Sequence, residues 1–322
     1  MTAIIPYPEH HRTGGGFRNP PGSPPHRAGL RDMLKFLLVD MRRKVIPPIP
    51  PGMVSAGKPD LAALHENQLV WLGHACFALR IAGKLVLTDP YLSAVAGPYG
   101  FGPKRFRAAA LSAAELPQLD LIVISHNHYD HLDTAALKAY RWPRETPVVC
   151  PLRVAPLMRR LGFTQIIELD WWEHWLSGDL TITALPAVHF SGRGLFDRNR
   201  TLWASMALAS PSRKVWFGGD TGYGEVFREI GARVGPFDLA LVGIGAYEPR
   251  IIMEASHATP EEAISIARDI GAKAAVGMHW GSIMLTPEDP FEAPVRFRQA
   301  ALEQQYGEAN AWIMQLGEQR SF

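Results

Sequence analysis

The stretch Leu121–Asp133 reads L-I-V-I-S-H-N-H-Y-D-H-L-D, and it restricts the possible folds more than any other part of the chain. Leu121, Ile122, Val123 and Ile124 form a short aliphatic run suited to a central strand covered on both faces. His126, His128, Asp130 and His131 follow at once. A polar burst at the carboxyl end of a buried strand belongs to a loop held on a rigid base. There His126 and His128, two apart, can project to one side, while Asp130 and His131 start the next turn and aim at a neighbouring spot. Two adjacent metal ions fit this better than one. Without a cation, three imidazoles and a carboxylate would compete for partners, at roughly 1–3 kcal/mol per unsatisfied group. Imidazole and carboxylate are also the ligands that suit zinc and its neighbours. His10, His11, His26, His65 and His174 lie outside this cluster and take the plain reading of core or surface histidines.

With 322 residues, 47% of them hydrophobic and 20% charged, the chain has core enough for one large domain or two smaller ones. A net charge of +2, without Lys/Arg runs in the body of the chain, gives no argument for a nucleic-acid partner. The two cysteines, Cys76 and Cys150, sit far apart in apolar contexts, which excludes a disulfide framework and any thiolate-bound zinc. A reducing, cytoplasmic setting is expected. No run approaches the ~18 apolar residues of a membrane span, and the N-terminus lacks the order of a secretory signal.

Residues 1–60 differ from the rest and are expected to form a Pro-rich extension, with 61–322 as the catalytic domain. Pro6, Pro8, Pro20, Pro21, Pro24, Pro25, Pro47, Pro48, Pro50, Pro51 and Pro59, with Gly14, Gly15 and Gly16, make the extension irregular. One amphipathic helix from Leu30 to Val45 interrupts it: Leu30, Met33, Leu34, Leu37, Leu38, Met41 and Val45 recur at three- and four-residue steps beside Arg31, Lys35, Arg42, Arg43 and Lys44. The plain reading docks this helix on the protein's own body. The alternative is peripheral contact with a membrane.

From Leu69 onward the pattern alternates strands and helices. Strands are expected at Leu69–Leu72, Cys76–Ile81 and Leu85–Thr88, the last two joined by Ala82-Gly83-Lys84 as a hairpin. Further strands fit Pro147–Cys150, Ile166–Leu169, Leu180–Leu185, Leu202–Leu208, Val215–Phe217, Leu239–Val242 and Ala274–Met278. Helices fit Thr134–Tyr140, Val154–Leu161 and Val226–Arg233, and the best marked opens at Thr259 with Pro260 and Glu262 and closes at Gly271. Two strand-rich halves closed by helices imply an α/β sandwich of two packed sheets with helices outside. His189, Asp220 and His279 each follow a strand-like run, where such an architecture places its site.

The order H-N-H-Y-D-H, His189, Asp220, His279 resembles the metallo-β-lactamase fold hydrolases, an αββα sandwich of two mixed sheets. Within them W-L-G-H-A (Trp71–Ala75), L-T-D-P, G-P-K-R-F-R, E-L-D-W-W-E (Glu168–Glu173), G-D-T-G-Y, G-P-F-D-L-A, I-G-A-Y-E-P-R (Ile244–Arg250) and H-W-G are similar to the N-acylphosphatidylethanolamine-hydrolysing phospholipases D. The resemblance runs from about Phe17 to the C-terminus. It implies one zinc on His126, His128 and His189, a second on Asp130, His131 and His279, and Asp220 bridging, with Mn2+ or Fe2+ as substitutes. Seven ligands leave each ion one open position, and a water shared by ions roughly 3.5–4 Å apart becomes a hydroxide able to attack phosphorus. A phospholipid or other phosphodiester is then the substrate, a homodimer the default assembly, and Asp130, Asp220 and His257 the catalytic residues. Asp89, His74 and Asp133 are expected to orient the ligands, and His257 to polarise a phosphoryl oxygen or protonate the leaving alkoxide.

Tyr99 and Gly100 replace the Gln-Tyr pair of the resembled enzymes before G-P-K-R-F-R, which alters headgroup recognition; Tyr99 and Phe101 remain the substrate-contact candidates. Trp171, Trp172 and Trp175 read as core. Rival functions are a same-fold hydrolase of a soluble phosphodiester, lactone or thioester, a di-metal oxidoreductase, and a non-catalytic membrane scaffold. No flavin-domain segment supports the oxidoreductase, and a scaffold needs no full ligand set.

Overall fold

Side chains that alternate along the first strands set the layering. The computed structural model describes residues 8–12, 14–43 and 45–322, so Pro6 and Lys44 lie outside the described residues. In β1 (Gln68–Gly73) Leu69 and Trp71 enter one apolar core while Val70 and Leu72 enter another. β2 (Cys76–Ile81) divides the same way, with Phe77 and Leu79 on one side and Cys76 and Ala78 on the other. A strand apolar on both faces has to lie between two covering layers.

Ala82 and Gly83, at φ of 52° and 71°, turn the chain into β3 (Lys84–Thr88), the antiparallel hairpin that the sequence implies. β4 (Leu121–Val123), β5 (Val148–Pro151) and β6 (Ile166–Leu169) then add in parallel. A second sheet takes β7 (His174–Ser177), β8 (Leu180–Leu185), β9 (Ser205–Ala209), β10 (Lys214–Phe217), β11 (Phe237–Gly243), β12 (Ala272–Met278) and β13 (Ala311–Trp312). The chain closes with β14 (Gln319–Ser321), which returns to the first sheet beside β1. The orders are β14-β1-β2-β3-β4-β5-β6 and β13-β12-β11-β10-β9-β8-β7, both mixed.

Helices cover the outer faces. Thr134–Ala139 and Ala155–Arg160 bury Leu137 and Met158 behind the first sheet. Val226–Arg233, Pro260–Asp269 and Glu292–Glu303 contribute Phe227, Ile264 and Phe297 to the core of the second. Thr259 caps its helix as expected: its hydroxyl accepts from the Glu262 N–H at 3.1 Å, and the Glu262 carboxylate accepts from the Thr259 N–H at 2.9 Å. The αββα sandwich is therefore the fold. Trp171 is core, its indole N–H donating to the Trp203 carbonyl at 2.7 Å.

The N-terminal helix departs from expectation. It runs as Leu30–Lys35, a π-helical turn Phe36–Asp40, and Met41–Arg43, and Val45 lies beyond it. Leu34, Leu37 and Leu38 are 46–56% exposed, so the leucine stripe does not dock on the body. Phe36, which that stripe omits, is the buried residue of the helix.

Candidate metal centre

Strand ends deliver every member of the cluster. β4 runs out at Val123, and the following loop carries His126 to His131 before Asp133 starts the next helix. β8 leads to His189, β10 to Asp220 and β12 to His279. Two of these loops touch. A Cβ at Gly219 would stand 2.5 Å from Ser125 Cβ, and Gly219 has φ +56°, so only glycine lets the Asp220 loop pass this close to the His126 loop.

Two adjoining groups result: His126, His128, His189 and Asp220, and His74, Asp130, His131 and His279. In the first, His126 Nε2 lies 2.9 Å and His189 Nε2 3.2 Å from His128 Nδ1. In the second, Asp130 Oδ2 lies 3.7 Å from His131 Nε2 and 3.5 Å from His279 Nε2. Asp220 joins them, with Oδ2 at 3.1 Å from His131 Nε2, 3.9 Å from His126 and 3.7 Å from His189, and Oδ1 at 3.2 Å from His279 Nε2. Ligands about 2.0–2.1 Å from a tetrahedral zinc stand about 3.3 Å apart, which these separations bracket.

Outer partners fix which ring nitrogen faces inward. Asp89 accepts from His131 Nδ1 at 2.6 Å and from the Ser125 N–H at 2.7 Å, as expected of a ligand-orienting carboxylate. His189 Nδ1 meets the Ser256 carbonyl at 2.8 Å, and His126 Nδ1 meets Ser125 Oγ at 2.8 Å. Each therefore presents Nε2 to the cluster. His74 Nε2 holds Asp130 Oδ2 at 3.0 Å. His74, Asp89 and His279 all have positive φ, local strain of the kind that gathers where side chains must be aimed.

Charge distribution points to a cation. Burial pulls His126 and His189 well below the ordinary histidine range and takes His128 and His257 down to about 4. Burial pulls His279 down too, but the Asp220 charge and the hydrogen bonds to Asp130 and Asp220 together outweigh it and lift the group to about 9. His131 rises well above its usual value because Asp220 and Asp130, with hydrogen bonds to Asp220 and Asp89, jointly overcome burial. Burial favours neutral Asp130 and Asp220, yet His131 and the other neighbouring imidazoles hold both well below the carboxylate range. Protons on His131 and His279 thus occupy the electrostatic place of a cation. His131 Nε2, His279 Nε2 and Asp220 Oδ1 are buried without a hydrogen-bond partner, so this donor set fits divalent metal.

A family model described as a β-lactamase superfamily domain matches residues 84–280. The chain belongs to the metallo-β-lactamase superfamily. An uncharacterized protein of Mycobacterium tuberculosis is 38% identical over 287 residues, 86% of this chain and 75% of the relative. The N-acyl-phosphatidylethanolamine-hydrolyzing phospholipase D 1 of Caenorhabditis elegans is 39% identical over 226 residues, 66% of this chain and 63% of that enzyme. Among solved structures, an isothiocyanate hydrolase from Delia radicum gut bacteria aligns with a TM-score of 0.62 at 21% identity, covering 79% of this chain and 99% of that one.

In this metallo-β-lactamase-fold chain the cluster floors a cavity of about 680 Å³. His128, Asp130, His189, Asp220 and His257 line it from below, and Met33, Phe36, Ile252, Met253 and Leu285 give it an apolar wall. His257 Nε2 stands 3.9 Å from Asp220 Oδ2. Two expectations fail. Asp133 touches no ligand; its carboxylate is saturated by the N–H groups of Leu92, Ser93, Ala135 and Ala136, making it a helix cap and loop anchor. Tyr99 and Phe101 are 98% and 78% exposed on an outer loop, and Ala96 and Pro103 line the cavity instead. His26, read from the sequence as an ordinary core or surface histidine, lines the cavity, and Asn19, which the sequence did not single out, has its Oδ1 accepting from the His189 N–H at 2.9 Å. An isolated His and an Asn before Pro20 carry no periodic signal.

Proposed function

We propose that this protein is a dinuclear zinc phosphodiesterase of the phospholipase D type, acting on N-acylphosphatidylethanolamine or a related phospholipid at a membrane surface. The observation that carries the reading is the joining of the His/Asp cluster to one cavity with an apolar wall. His126, His128 and His189 would hold one ion, Asp130, His131 and His279 the other, with Asp220 between them. Bound there, two divalent ions supply Lewis acidity and an activated water for in-line displacement at phosphorus. Asp89, His74, Ser125 and Ser256 keep the ligands aimed. His257, held neutral by burial beside Asp220, offers one N–H and one lone pair to the departing alkoxide.

Exposed apolar groups support a lipid surface as the place of action. The helix that supplies Met33 and Phe36 to the cavity exposes Leu34, Leu37 and Leu38. The loop that supplies Ala96 and Pro103 exposes Tyr99 and Phe101, and the loop that supplies Phe190 and Arg198 exposes Leu195 and Phe196 at 91% and 93%. Three segments bordering one cavity thus offer large apolar side chains to an acyl-chain boundary. No helix among the described residues is long and apolar enough to cross a membrane, so contact would be peripheral. The lipase activity of the nematode relative agrees with this chemistry.

An activity panel tests the reading: N-acylphosphatidylethanolamine in mixed micelles against water-soluble phosphodiesters, a lactone and a thioester, with phosphatidic acid as the product assayed. Turnover confined to the lactone or thioester would replace it.

A further inference from the structure

Three guanidinium groups share the cavity without a carboxylate to balance them. Arg12, Arg18 and Arg198 all line it, and the only carboxylates in its lining, Asp130 and Asp220, belong to the metal cluster. Among the described residues none of the three arginines forms an ion pair. All three arginines are solvent-exposed, and Arg18 donates from Nε to the Glu9 carbonyl rather than to a carboxylate. Arg198 stacks on Phe190, with Cζ 4.4 Å from the ring centroid. Phe190 in turn packs 4.5 Å from the His128 ring and 4.9 Å from that of His189. One aromatic ring therefore separates this cation from the metal ligands. Arg18 precedes Asn19, whose side chain holds the His189 N–H, so it too stands one residue from the reaction floor. Arg12 lies near enough to Arg198 that its charge, after burial, helps lower the Arg198 pKa.

A phosphodiester carries one negative charge, and two divalent ions held by the His/Asp cluster would already balance it. Nothing in that balance uses the arginines. We infer that Arg12, Arg18 and Arg198 form a second anion subsite, and that the natural substrate is a phosphodiester bearing a further phosphate or carboxylate a few bonds from the scissile phosphorus. This rests on the phosphodiesterase reading and narrows it to the related phospholipids whose headgroup carries a second anion, setting aside N-acylphosphatidylethanolamine, whose headgroup has none. Guanidinium forks suit planar or tetrahedral oxyanions, and the stacked Arg198 is preorganised for one.

Calorimetric titration of the metal-loaded protein with propyl phosphate and with 1,3-propanediol bisphosphate tests it. The bisphosphate is expected to bind at least roughly tenfold more tightly, as charge-assisted contacts to guanidinium would give. Arg12→Gln/Arg198→Gln should bring the two affinities together, leaving that for propyl phosphate unchanged. Equal affinities in the unmodified protein, or a tenfold ratio that survives the double substitution, would overturn the subsite. Binding to phosphatidylglycerol and phosphatidylcholine vesicles separates the other source of anions. A double variant that keeps the bisphosphate ratio and loses only phosphatidylglycerol vesicles would assign the arginines to the bilayer surface and defeat the inference. Failure to turn over any phosphodiester would remove the proposed function, while the affinity ratio would still decide the subsite.

Discussion

Gly219→Ala is the sharpest single perturbation of the site, because it adds one methyl where two ligand loops meet. The new Cβ would stand 2.5 Å from Ser125 Cβ and 2.7 Å from Ser125 Oγ, and the backbone there has φ +56°. An L-residue in that region costs about 1–2 kcal/mol, and overpacking a filled site about 1–3 kcal/mol more. A loss of about 2–5 kcal/mol is expected, and at about 2.1 cal/mol/K per residue that lowers Tm by roughly 3–7 °C. The displacement should move Asp220 away from His126 and His131, and misplacing a reacting group by about 1 Å costs on the order of a hundredfold in rate. Calorimetric Tm and metal content by plasma emission on the same preparation measure both effects. Adding Ser125→Gly removes the opposing atoms, so the double variant should show positive coupling in Tm. Gly219→Ala with unchanged Tm and full metal content would refute the claim that this contact positions the cluster.

Asp220→Asn should leave about one metal per chain and almost no turnover, since a neutral amide cannot hold two dications together; retention of two metals with near-normal turnover would remove the bridge. His257→Ala should keep metal content but slow a poor alkoxide leaving group far more than a nitrophenolate, and equal slowing of both would exclude the proton-transfer role. Replacing Leu34, Leu37 and Leu38 together by Gln should shift stability by only about ±0.5 kcal/mol per site, because all three are half-exposed, while weakening vesicle binding and bilayer activity. Unchanged vesicle binding in that variant would deny the helix any membrane contact.

Strand-ending His and Asp residues were legible because the motif H-N-H-Y-D-H follows an apolar run whose pattern admits few alternatives. The central strands were legible for the same reason, being apolar on both faces. Ile166–Leu169, Leu180–Leu185 and the helix Val226–Arg233 lie where the pattern puts them. Short edge strands were not: β13 and β14 have two and three residues and depend on neighbours distant in sequence. Asp133 shows a different limit. Its place beside the ligand run invites a role toward the metal, yet four backbone N–H groups compete for the same carboxylate and win. Tyr99 misleads in the opposite way, since an aromatic residue near a motif says nothing about which side of a loop it faces.

The N-terminal segment is the part whose role only the fold reveals. Composition marks residues 1–60 as irregular, and irregular chain is easily taken for an appendage. Phe17 is wholly buried in the main core, its N–H donates to the Asn199 carbonyl at 2.8 Å, and Arg153 stacks over its ring at 4.9 Å. Ahead of it, His10 and His11 each hold one oxygen of Asp170, at 2.6 and 2.8 Å, tying the segment to the E-L-D-W-W-E stretch. Between this anchor and the helix lie Arg12, Arg18, Asn19 and His26, and all four face the cavity. The same segment therefore supports His189, supplies two of the three unpaired cations and brings the exposed leucines beside the cavity mouth. Removing it would take away one wall of the cavity while leaving the residues that would hold the metals on their own strand ends.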